Sequence, residues 1–507
     1  MSEGLCQTQC DSEPKNGEAG EGHNTDQLVV EEDKVDNQGD VRQKSSKVVR
    51  DKTEDEKPHA IALAIDSFIL RVSDISFGAS TFIPKAAKWK IDQIEANQEI
   101  ISENLYFIDS ENEIDNVIAM SNIVEASKKL DRVEHSELVG TLSIGLFLSL
   151  FSAFDAFTGE LLTAIYLKKP ELFNSINRSM SISEMLKYGK LDEIKWIILQ
   201  NEIESFRRES YVEQFALLER KFDIKLKKFK NWSRFVECSQ RRNLLTHCDG
   251  LISEQYIKIC DSEGCKFGDD VKVGEKLRLT PDYIEKTCNI MIEVGLKLGQ
   301  TLWRKLFEDE LKSSEHNLQR IQYDFLVNEE WECAIMAGEF ATNLQKYDEE
   351  PLRLIMVINY VLALAFSGNK KEASRVVDKE NWSALCYDFK LAYQILKENY
   401  AEAGSIMQRI GRKGEYVFQH AYHDWPLFKY FRQTKEFLAA YNDIYGYPFA
   451  EELKRNAEEN KVQGETEINK VKAELEDQPQ IICAVIDEEQ NQPNPLTQEF
   501  ADEPITP

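Results

Sequence analysis

The 507 residues contain no Gly-x-x-x-x-Gly-Lys-Ser/Thr loop, no Gly-x-Gly-x-x-Gly fingerprint and no Gly-x-Ser-x-Gly elbow. Their absence removes the common phosphate cradle, dinucleotide site and acyl-transfer nucleophile. Basic charge is also short: 62 Lys+Arg stand against 89 Asp+Glu, a net charge of −27. Such a balance excludes a protein that coats nucleic acid through its overall field, though not one with a local basic site. The ten cysteines are scattered without a disulfide framework, and the acidic N-terminus lacks an apolar signal core. Together these predict reduced thiols and a cytoplasmic location. Cys260-x4-Cys265 lacks a second ligand pair nearby, and His420-x2-His423-Asp424, which could bind a metal, reads better as a helix end with surface polar residues, so no cofactor is expected.

The acidic excess is concentrated at the ends. Residues 1–57 hold 15 acidic and 8 basic side chains, and residues 451–507 hold 15 and 5. Both ends are poor in large apolar residues and cannot offset the entropy of ordering, so both are predicted to be disordered acidic tails. What lies between is apolar enough to bury a core, since 42% of the chain is hydrophobic and 10% aromatic. Its length predicts two to four domains.

From 58 to about 450 the apolar period is close to 3.6, which predicts an all-α fold. Helices are expected at 84–108, 111–134, 136–168, 182–188, 191–221, 224–247 and from Pro281 to about Leu311. Only Tyr256–Cys260 and Val271–Leu279 alternate like strands, and the glycines around them suggest a small hairpin or ordered loop. The apolar run 139–157 is nearly long enough to span a membrane. Its Asp155, serines and glycines favour a buried helix, so no membrane association is expected. Lys168-Lys169-Pro170 should end that helix. Between 319 and 446, small residues such as Ala373 and Ala403 recur at paired-helix spacing. This segment resembles degenerate tetratricopeptide repeats, which stack to offer a concave surface to a protein or peptide.

One short segment gathers chemistry. Arg241-Arg242-Asn243 is followed by His247 and Gly250 at the end of an amphipathic helix. His247 is the only histidine with an arginine four to six intervening residues upstream. Before the motif, nine cations face two anions between Arg220 and Arg242, including Lys227, Lys228, Lys230 and Arg234. They make a basic stripe in an acidic chain. The blander reading keeps His247 as a helix-end cation, Arg242 as an ion-pair partner and the lysines as a solvated face.

The Arg-Arg-Asn-x-x-x-His-x-x-Gly pattern resembles the ribonuclease members of the HEPN superfamily. The likeness extends over roughly 136–310, through Phe154-Asp155-Ala156-Phe157, Ser210-Tyr211 and Trp303-Arg304. It implies an antiparallel helical bundle and metal-independent RNA cleavage to a 2′,3′-cyclic phosphate. It also implies a homodimer whose paired motifs line one cleft, and a role as a toxin or antiviral defence effector. In that reading His247 moves protons, Arg242 stabilises the phosphate and Asn243 orients; Arg241, Lys227, Lys228, Lys230 and Arg234 contact RNA. Arg242 and His247 lie 140° apart on a regular helix, which is the reason for looking to a second copy. An acidic residue on the apolar helix, Asp155, could orient the motif or simply be a buried polar group.

The expected organisation is therefore a tail (1–57), a helical N-terminal extension (58–135), a HEPN-like domain (136–312), tetratricopeptide-like repeats (319–450) and a second tail (451–507). The alternative is a non-catalytic dimerising scaffold that binds protein or RNA.

Overall fold

The computed structural model describes residues 59–108, 111–176, 180–188, 190–267 and 271–458, together with 461, 466 and 468. The tail 1–57 and most of 451–507 lie outside the described residues. Among those described there is no strand, and the fold is all-α.

The long first helix, α1 (Ala60–Leu105), starts further upstream than Pro84, where the sequence suggested a start. Pro84 sits inside it. The proline removes one backbone hydrogen bond, and the Ser80 carbonyl it frees is at an exposed position, where water can satisfy it. Ile61, Ile65, Phe68, Val72 and Ile83 fall on one face of α1 and are buried. They pack against α3 (Leu138–Lys168) and α9 (Pro281–Leu306), so this half of the predicted extension belongs to the central bundle. The contact is close because α9 offers glycine: a Cβ on Gly295 would stand 2.2 Å from the Phe68 ring. Phe68 in turn stacks on Phe157 of α3 at 4.6 Å. Beyond Ile83, α1 pairs with α2 (Glu113–Glu134), which buries only Ala119 and Ala126.

The apolar run forms α3 and ends at Lys168, before the proline, as expected. By length and composition it could cross a membrane, and 33% of its apolar window is buried. Its second half carries the core, with Phe151, Phe154, Phe157 and Leu161 all at most 1% exposed.

Three predicted elements differ. The stretch 191–221 is two helices, α5 (Leu191–Arg208) and α6 (Tyr211–Phe222), with the short α4 (Ile182–Met185) before them. Ser210 breaks the run by accepting a hydrogen bond from the Glu213 amide as an N-cap. The stretch 224–247 is helical only as α7 (Trp232–His247). Upstream, Asp223 turns left-handed and the Glu219 carboxylate accepts the Leu226 and Lys227 amides. Tyr256–Cys260 lies in a helix, α8 (Glu254–Ser262), where an apolar spacing of four buries Tyr256 and Cys260 on one face. The segment near Val271 is an ordered loop with one bridge, Leu251 to Lys276.

Past α9, which ends five residues earlier than predicted, helices pack as successive pairs. They are α10 (Leu311–Val327), α11 (Trp331–Thr342), α12 (Glu350–Phe366), α13 (Lys370–Lys379), α14 (Tyr387–Leu396) and α15 (Tyr400–Ile410). Short α16 (Ala421–Asp424) and α17 (Lys435–Tyr445) follow. Ala373 and Ala403 are buried where the pairs meet. A further helix covers 449–458, so residues 451–458 of the expected second tail are helical. This helix is anchored by buried Phe449, by Tyr447 on Glu452 at 2.7 Å and by Asn456 on His423 at 3.1 Å. One continuous apolar core runs from Ile61 to Phe449.

The start of α1 carries a pH-sensitive contact. His59 caps the helix, stacks on Trp303 at 4.2 Å and lies 3.0 Å from Glu310. Burial, helped by the Lys168 charge, holds its imidazole below the ordinary value. The folded state therefore prefers neutral His59. Its contribution to stability is complete above the unfolded value of about 6.5 and is lost as pH falls from there through the lowered folded value. The thermal midpoint should fall between about pH 7.5 and pH 5.5, and His59→Asn, which keeps a capping oxygen, should flatten that dependence. An unchanged slope in the variant would remove His59 as the cause.

Candidate active site

The site is built where α7 ends. Its buried face, with Trp232, Phe235 and Val236, packs on α3 and α9, and Phe235 lies 5.6 Å from Phe154. This fixes which way the other face looks. The end of α7 is fixed separately: Gly250, at φ 76°, donates to the Leu244 carbonyl at 3.0 Å. The loop after it is clamped by Ile252 to Glu275 and Leu277 to Gly250, each at 2.9 Å.

A cavity of about 440 Å³ opens beside this helix end, and Arg242, Asn243 and His247 all line it, with Asp155, Arg207 and Tyr211. Two side chains 140° apart on a regular helix thus line the same cavity within one chain. Arg242 donates to the Asn243 side-chain oxygen at 3.0 Å, so Asn243 holds the guanidinium rather than the imidazole. His247 is exposed and makes no hydrogen bond or ion pair among the described residues. Its imidazole is accessible to a ligand.

The opposite wall comes from elements far away in sequence. Tyr211, first residue of α6, donates to Asp155 of α3 at 2.9 Å. Burial raises the Asp155 carboxyl above its usual range, against the pull of the Tyr211 hydrogen bond and of the Arg242 and Arg207 charges. Burial and the Asp155 charge push the Tyr211 phenol far up, so it stays a donor. These two residues were visible in the sequence only through the family-like segments around them. Arg207 and Arg208, which end α5 and add positive charge to the cavity, had no such signal beyond their place in a last helical turn.

Arg207 depends on a glycine. Its guanidinium lies over Gly159 of α3, where a Cβ would come within 1.8 Å of Nη2. Gly159→Ala should therefore turn Arg207 out of place while α3 stays helical. The expected outcome is weaker RNA binding with an unchanged circular dichroism spectrum, checked by titrating a labelled strand at low salt. Affinity equal to wild type would show that Arg207 takes no part.

The predicted RNA-contacting cations separate. Arg241 does not line the cavity. Adjacent helical residues point 100° apart, and Arg241 faces inward, 12% exposed, paired with Glu237 at 2.9 Å and laid over the Tyr283 ring at 3.9 Å. Lys227, Lys228 and Lys230 precede α7, and none of them, nor Arg234, lines the cavity. Arg234 stands eight residues before Arg242, about 12 Å along the helix axis, and Lys227 lies over the Trp232 ring at 5.5 Å. The cations beside the motif in space are Arg207 and Arg208.

Among the described residues no group of three or more His, Cys, Asp or Glu side chains is arranged to hold a metal ion. No family model, no curated protein and no solved structure matches this chain.

Proposed function

We propose that this chain is a metal-independent endoribonuclease of HEPN type. The observation that carries the reading is the meeting of Arg242, Asn243 and His247 in one cavity whose far wall adds Arg207 and Arg208. RNA supplies its own nucleophile, the 2′-hydroxyl, and needs from the protein a proton carrier and a cation at the phosphate. Histidine titrates near neutral pH and suits the first task. The planar guanidinium of Arg242, held by Asn243, suits the second as charge grows on the phosphate oxygens. The bond that forms joins the 2′-oxygen to phosphorus, and the bond that breaks frees the 5′-oxygen, which takes up a proton. Asp155 and Tyr211 act as positioning residues: Asp155 balances the charge of Arg242, and the Tyr211 hydroxyl holds Asp155. The homodimer remains part of the proposal, with each copy holding its own cavity, as do the cytoplasmic location and a defence role. The paired helices α10–α15 are proposed as tetratricopeptide-like repeats for a protein or peptide partner.

The test is incubation of the purified chain with labelled single-stranded RNA in EDTA. Cleavage supports the proposal, and intact RNA under all conditions rejects it. One observation favours the scaffold alternative: Ile114, Val117, Ile118 and Val124 of α2 are all more than half exposed. Such a face suits a protein contact, and a chain that dimerises but leaves RNA intact would favour that reading.

A further inference from the structure

The end of α8 carries a chemical pair that the cavity does not use. Gly264 turns left-handed at φ 77°, its amide donates to the Asp261 carbonyl at 3.1 Å, and the Cys265 amide reaches back to the Cys260 carbonyl at 2.9 Å. These two bonds define a Schellman motif, whose geometry brings the side chains three residues before and two after the cap into contact. Here both are cysteines. Cys260 is 0% exposed, Cys265 is half-buried against the same small core under Leu244, and both are free thiols.

We infer that Cys260 and Cys265 form a reversible disulfide site, closed by the Schellman turn at Gly264. A six-residue turn closed by a bond from one terminal amide to the other terminal carbonyl holds the two Cα atoms within the roughly 4.4–6.8 Å a disulfide requires. The thiols already influence one another: hydrogen bonding from Cys260 holds Cys265 below the ordinary thiol value, and Cys260 is pushed up. Cys265, the thiol of the pair that solvent reaches, is the first nucleophile, and buried Cys260 is the resolving thiol. The Cys265 thiol now donates to the Ser233 carbonyl of α7 at 3.0 Å, a bond that oxidation removes. The oxidant is a small disulfide. Cys265 thiolate attacks one sulfur, forms a mixed disulfide and releases one thiol; Cys260 then attacks the mixed disulfide at Cys265 and releases the second. Two protein thiols are oxidised and one disulfide is reduced to two thiols, with protons conserved. Neither cysteine lines the cavity, so this site stands apart from the ribonuclease reading.

The test uses the full chain incubated with oxidised glutathione, trapped by alkylation and mapped by mass spectrometry. The expected result is an internal bond in the peptide containing residues 260–265, lost again on adding dithiothreitol. Cys260→Ser should instead leave a stable glutathione adduct on Cys265, and Cys265→Ser should leave Cys260 unmodified. Exposed Cys248 reports that the oxidant was active. A wild-type chain carrying glutathione on Cys248 while Cys260 and Cys265 remain alkylatable would overturn the inference. So would a lasting glutathione adduct on wild-type Cys265.

Discussion

His247→Ala should lower the rate of RNA cleavage by about 100- to 10,000-fold, the range for losing a positioned proton carrier. Arg242→Ala should cost about 100- to 1,000-fold, as expected when one cation at a developing phosphate charge is removed. Both changes should leave the fold intact. Among the described residues His247 is exposed and unbonded, and the side-chain hydrogen bond of Arg242 is to its neighbour Asn243. Asn243→Ala should fall between these variants and wild type, because it loosens Arg242 without removing it. Single-turnover rates beside thermal melts make the check. Rates that fall only in step with the melting temperature would show a structural motif.

The second large effect concerns the neighbouring arginine and is one of stability. Glu237, 15% exposed, takes hydrogen bonds from Arg241 at 2.9 Å and Tyr256 at 2.7 Å, and from the Tyr283 hydroxyl as well. Burial above all keeps both phenols far above their ordinary value, so they remain donors and need this acceptor. Glu237→Ala takes the carboxylate from a largely covered guanidinium and the short acceptor from two hydroxyls, at a cost of about 3–5 kcal/mol. Arg241→Ala should destabilise for the converse reason, leaving the Glu237 carboxylate without its cation. Chemical denaturation of both variants beside Arg242→Ala separates the adjacent arginines: loss of stability at 241, loss of rate at 242. Equal stability in all three would contradict a structural role for the Arg241–Glu237 pair.

Much of this arrangement could be read from residue order. The apolar run before Lys168 gives α3, and the polar triplet with a trailing glycine marks the end of α7. What could not be read has physical causes. Arg241 and Arg242 are neighbours in the chain, yet a helix turns 100° per residue and turns one of them onto Glu237 and Tyr283. Lys227 and Lys228 lie close to the motif in number, but Asp223 and Glu219 divert the chain into a loop there. Arg207 reaches the cavity because Ser210 stops one helix and starts another, a capping event hidden inside a long amphipathic pattern. Asp155 meets Tyr211 only after α3 and α6 pack, 56 residues apart. The strand-like Tyr256–Cys260 shows how a five-residue apolar alternation fits a helix equally well when its buried pair is four apart.

The pairing of the two walls also bears on pH. Asp155 is held above its usual range by burial while Arg242 faces it across the cavity. As pH rises through the raised value, Asp155 gains charge and its attraction for Arg242 increases.

The most direct measurement is the identity of the ends left on a defined RNA strand cut in EDTA. Attack by the 2′-hydroxyl predicts a 2′,3′-cyclic phosphate on one fragment and a 5′-hydroxyl on the other, and a strand with 2′-deoxy sugars throughout should resist. A 5′-phosphate product, or cleavage of the deoxy strand, would contradict an Arg242–His247 site that relies on the substrate's own nucleophile.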